Sequence, residues 1–111
     1  MCNQLSIRIN SIDKNVASHT TNKGLIFKTR RNFIVISKKK YGIYIRLLDV
    51  EDNDNILNVV GRTTYEPLCR CFKIKEEKDI DIIMPYIIKS YEISKYNPVD
   101  LKNNFIKLYY K

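Results

Sequence analysis

Three short runs rich in β-branched and aromatic residues, Leu25 to Lys28, Phe33 to Ser37 and Gly42 to Leu48, are separated by charged turns at Thr29 to Asn32 and Lys38 to Tyr41. That spacing is the mark of an antiparallel meander, and it constrains the fold more than any other feature of the chain. Gly24 opens the first of the three strands. Before it, Asn15 to Lys23 is polar, a loop with one short strand around Val16 to His19. After the meander, Asp49 to Asn55 is acidic and polar and reads as a loop. Ile56 to Tyr65 is too mixed to assign, and Leu68 to Ile74 reads as a fifth strand.

The remaining segments carry helical periodicity. Leu5, Ile9 and Ile12 form a helical stripe over residues 4 to 12, although Leu5, Ile7 and Ile9 also alternate like a strand; helix is the expectation. Glu76 and Glu77 place negative charge at a helix start. Ile80, Ile83, Met84, Ile87, Ile88 and Tyr91 then recur at the spacing of an amphipathic helix. Pro85 lies inside this stripe and predicts a kink or a break at Met84, because an interior proline removes a hydrogen bond and costs about 3 kcal/mol. Asn97 and Pro98 have the form of an N-cap and first helical position, with Leu101, Phe105, Leu108 and Tyr109 making a second apolar stripe. The expected fold is α+β, an antiparallel sheet of four to five strands packed against helices in the order helix, meander, helix, C-terminal helix. With 111 residues, 44% of them apolar, the chain is long enough to bury a core as one domain over 1–111, with 94–111 as a helical extension of it. One sheet face packs on the helices; the other is solvated or used for binding.

The net charge of +8 is unevenly distributed. Residues 1–50 hold ten Lys or Arg against two acidic residues, whereas residues 51–111 hold ten of each. Lys28, Arg30 and Arg31 occupy one turn of the meander, Lys38, Lys39 and Lys40 the next, and Arg46 the strand beyond, with Tyr41 and Tyr44 interleaved. If the turns lie at opposite ends of the meander, the clusters stand about a strand length apart, roughly 17–20 Å. Arginine there offers bidentate phosphate contacts and tyrosine a stacking face, the chemistry of a nucleic-acid backbone site. The competing reading is a set of solvated turns. Ile, Asn and Lys are all abundant, as AT-rich coding produces, and a lysine-rich surface then needs no partner.

Other chemistry finds little support. Asp49, Glu51, Asp52 and Asp54 have carboxylates at near-alternating spacing, yet the calcium-loop pattern fails for want of a glycine at its sixth position and a glutamate at its twelfth. His19 is the one histidine and has no recognisable nucleophile beside it. The three glycines, Gly24, Gly42 and Gly61, are too scattered to form a phosphate loop. Cys69 and Cys71 share a strand face, poorly placed for a disulfide, and no second pair completes a metal site; with Cys2 the count is odd, as suits a reducing cytoplasm. No stretch approaches the roughly 20 apolar residues that cross a bilayer, and no leader pattern opens the chain. The expectation is a cytoplasmic protein, with no cofactor or metal and no membrane association.

Residues 24–93 also resemble the uncharacterised bacterial and archaeal domain of unknown function 5655. Leu25 to Ile36 (LIFKTRRNFIVI) is similar to that family's strand, basic turn, Asn-Phe and strand; Lys38 to Leu48 (KKKYGIYIRLL) follows in kind. Ile74 to Glu92 (IKEEKDIDIIMPYIIKSYE) resembles its acidic helix start and Ser-Tyr-Glu ending, with Ile80, Met84 and Ser90-Tyr91-Glu92 in register. The chain departs from the family before the fifth strand, where a glycine-rich His-Trp-Gly type loop is replaced by Val60 to Pro67, which keeps only Gly61. The resemblance implies no established activity: members stand alone or end larger proteins, some labelled as predicted transport proteins and others related to restriction-type nucleases. It transfers no catalytic residue.

The expected function is that of a non-enzymatic small basic binding module. DNA or RNA would be held by phosphate-backbone contacts at Lys28, Arg30, Arg31, Lys38, Lys39, Lys40 and Arg46, without sequence readout. The alternative is a protein-interaction module or small inhibitor, or self-association, through the free sheet face or through Phe105, Leu108 and Tyr109 of the C-terminal helix.

Overall fold

In the computed structural model, residues 2–22, 24–59 and 68–95 are described. Helix α1 (Cys2–Asn10) precedes four consecutive strands, β1 (Ala17–Thr21), β2 (Gly24–Lys28), β3 (Asn32–Lys39) and β4 (Gly42–Leu47); β5 (Asn58–Val59), β6 (Arg70–Ile74) and helix α2 (Lys78–Ser94) follow. The strands form one antiparallel sheet in the order β1-β2-β3-β4-β6-β5. The α+β class and the meander are as expected. The sheet has six strands rather than four to five, because the mixed segment after Leu57 contributes the two-residue strand β5. The expected C-terminal helix, with Phe105, Leu108 and Tyr109, lies outside the described residues, as does the altered loop at 60–67.

Alternation along the strands sets the core. Ile34, Ile45, Leu47 and Ile74 share one sheet face through the pairs Ile34↔Leu47, Ile36↔Ile45 and Ile43↔Ile74, and all four are fully buried. Helix α2 covers this face with Ile80, Ile83, Met84, Ile87 and Tyr91. Pro85 produces no break, since α2 runs continuously from Lys78 to Ser94. The physical reason is one of magnitude. A single interior proline costs about 3 kcal/mol, whereas each large apolar side chain buried from the stripe stabilises by about 1.5–3 kcal/mol. Helix α1 lies beside the start of α2: Gln4 Nε2 donates to Glu77 Oε1 (2.9 Å) and Arg8 Nη1 pairs with Asp81 Oδ1 (2.6 Å), while Leu5 and Ile9 enter the core.

The second half of α2 is tied down by polar contacts. Ser90, fully buried, donates through its hydroxyl to the Phe33 carbonyl (2.5 Å) and accepts the Leu48 N–H (3.1 Å), so one side chain links the helix to the start of β3 and the end of β4. Tyr91 packs edge-on against Phe33 with ring centroids 5.8 Å apart and donates its hydroxyl to Asp13 Oδ2 (2.5 Å). Thr29, in the β2–β3 turn, donates to the Ser94 carbonyl (3.0 Å). A register shift between Phe27 and Lys28 brings both Phe33 and Ile34 to the helix side. Gly24 is required where β2 begins: its φ is +132°, and a Cβ there would stand 2.2 Å from the Ile36 carbonyl oxygen.

Two predictions follow from these contacts. Ser90→Ala leaves the buried Leu48 N–H and Phe33 carbonyl short of a partner and is expected to cost about 1–3 kcal/mol, read as a lowered urea midpoint with an unchanged m value; an unshifted midpoint contradicts the linking role. The second concerns acid. Asp79 accepts the N–H groups of Glu76 and Lys75, and these bonds hold its carboxyl below the usual range. Asp13 is held low chiefly by the Tyr91 hydroxyl and then by the Asn15 N–H. Because these folded values are depressed, their stabilisation is fully present above the unfolded carboxylate value of about 4 and is lost as the pH falls through the lower folded values. Urea midpoints are therefore expected to drop below about pH 4, less steeply in Asp79→Asn; equal slopes would show that Asp79 does not contribute.

Candidate nucleic-acid interface

The sheet strands contain no aspartate or glutamate, yet they hold six basic residues, Lys28, Lys38, Lys39, Arg46, Arg70 and Lys73. Every carboxylate among the described residues lies in a helix, a turn or a loop. Strand register then divides the basic residues between the faces. Tyr44 stands between Ser37 and Lys73, and Arg46 between Val35 and Cys71, all on the face opposite α2; Lys39 shares this side by alternation with Ser37. Ile26 and Val35, on the same face, are buried, which leaves its accessible parts at exposed strand β1 and toward the β3–β4 turn and strand β6.

A basin of about 690 Å³ opens there, lined among others by Thr21, Ser37, Lys39, Tyr44, Arg46 and Cys71. Around Tyr44 and the neighbouring Tyr41, lysines stand over the tyrosine rings. Lys39 Nζ lies 5.6 Å and Lys73 Nζ 5.4 Å from the Tyr44 ring centre; Lys40 Nζ lies 5.5 Å and Lys73 Nζ 6.0 Å from that of Tyr41. Contacts of this kind at exposed sites contribute only about 0.5–1 kcal/mol, so the ammonium groups remain available to an anion. Arg46 is more firmly placed, its Nε–H donated to the Leu68 carbonyl (3.1 Å).

The two basic turns lie at opposite ends of β3, which at eight residues is longer than the five expected. At about 3.3 Å per residue the clusters stand roughly 23 Å apart rather than 17–20 Å. Lys28 and Arg30 are exposed at one end, and Lys38, Lys39 and Lys40 at the other. Arg31, expected among the phosphate ligands, is half-buried, and loss of hydration lowers the pKa of its guanidinium. Lys73 was not among the residues singled out from sequence. It joins Tyr44 only through the pairing of β4 with β6, a strand 29 residues further on.

The acidic loop has other work. Asp49 pairs with Arg70 (2.9 Å). Burial pushes the Asp52 carboxyl up, but the Ile56 and Leu57 N–H groups it accepts (2.9 and 2.7 Å), together with the charges of Arg70 and Lys89, hold it below the usual range. Among the described residues no group of three or more His, Cys, Asp or Glu is arranged to hold a metal ion, and no helix is long and apolar enough to cross a membrane. His19 is exposed on edge strand β1. Comparison with family models, curated proteins and solved structures finds no match to the chain.

Cys71 reports on this face. Burial pushes its thiol up, against the smaller opposing pull of Arg46 and Lys39. At pH 8 its alkylation by iodoacetamide, followed by peptide mass analysis, is expected to be slower than in the urea-unfolded chain; an equal rate would show the thiol to be unshielded, and a faster one would mark it as activated.

Proposed function

We propose that the chain is a non-enzymatic nucleic-acid-binding module that holds the phosphate backbone on the sheet face opposite α2. The observation that carries this reading is an acid-free set of strands whose accessible face gathers Lys39, Arg46 and Lys73 around Tyr44. Cations gathered around a tyrosine on one accessible face suit a polyanion with planar bases, and the contacts are of a kind that positions a strand without reading its sequence. Solvated turns alone would not require that carboxylates be absent from the strands beside them.

Anisotropy with labelled DNA and RNA at about 50 and 200 mM salt tests it. Affinity is expected to fall steeply with salt. The Lys39→Glu, Lys73→Glu pair is expected to remove most binding and to lower the log–log salt slope by about 0.7–0.9 per lysine. Binding that ignores salt, or that survives both reversals, rules the surface out.

A further inference from the structure

We infer that this face takes single strands in preference to duplexes, with Tyr41 and Tyr44 as stacking positions for unpaired bases; the inference rests on the reading above and narrows its ligand class. Tyr41 is 72% exposed at the β3–β4 turn, and Tyr44 is half-buried three residues on, its ring at the rim of the basin. One ammonium, Lys73 Nζ, lies within 6.0 Å of both ring centres, so the two rings flank a shared cation, with Lys39 and Lys40 beyond them. A base on an aromatic ring is a stronger contact than an exposed ammonium over the same ring. An arriving base therefore displaces the lysine, and the freed ammonium is already beside the phosphate that base carries. The exchange needs base faces that are open. In a duplex they are covered by neighbouring pairs, leaving only charge attraction, and the tyrosines would then add little.

The chain contains no tryptophan, so Tyr44→Trp in the full-length protein supplies a single reporter at the proposed position. Its emission is expected to be quenched by an oligothymidylate strand and unchanged by a duplex of equal length or by polyphosphate. In anisotropy titrations, Tyr41→Ala and Tyr44→Ala are each expected to weaken single-strand binding about 5- to 150-fold, with Tyr44→Phe close to the parent. Exposed Tyr41 serves as the test position should Tyr44→Ala fail to fold. Duplex binding as tight as single-strand binding, with no quenching, overturns the inference and leaves a module that binds by charge alone. No binding of any polyanion by the intact protein overturns the underlying reading as well.

Discussion

One buried hydroxyl holds the two layers of this protein in register. Ser90 joins α2 to the Phe33 carbonyl in β3 and to the Leu48 N–H just past the end of β4, the two strands at the centre of the sheet. Apolar contacts between helix and sheet are non-directional and would tolerate a helix that slid or rotated. Buried hydrogen bonds do not, because breaking them strands polar groups away from water. Tyr91 and Ser94, on the same helix, fasten the β2–β3 turn and the segment before β1 to the same end of the molecule.

With α2 secured on one face, the other face is released from core duty wherever its residues are not themselves buried. The strands use that freedom selectively. β4 alternates buried Ile43, Ile45 and Leu47 with half-buried Tyr44 and Arg46, while β3 is buried through four consecutive residues from Phe33 to Ile36. The accessible basic and aromatic side chains consequently collect on the β4–β6 side and at the β3–β4 turn. That placement follows from burial of the neighbouring strand as much as from the residues at the site.

Local pattern made most of the fold legible. The meander, the α2 stripe and β6 could be read because alternation and helical spacing are local properties of the chain. Strand β5 could not, since two residues carry no periodicity and their pairing depends on β6. The break allowed for at Pro85 is absent: the local cost of the proline is visible in sequence, whereas the compensating burial is not. At the candidate site, Lys39, Lys40, Tyr41 and Tyr44 were readable as one cluster. Lys73 was not, because β6 reaches β4 across a long connection and only the pairing register places it beside Tyr44. Arg31 shows the reverse: adjacent to Arg30 in sequence, it differs in burial, which a charge map cannot register.

The exclusion of carboxylates from the strands has a consequence before any contact forms. Among the described residues, carboxylates gather in the 49–54 loop and around α2 while the strands carry only basic charges, so the two sides of the sheet differ in charge. A polyanion approaching at random meets a torque that turns the sheet toward it and the helices away. If the sheet holds a polyanion as proposed, fewer encounters would be spent on unproductive orientations, and the gain would fade as ions shorten the reach of the field.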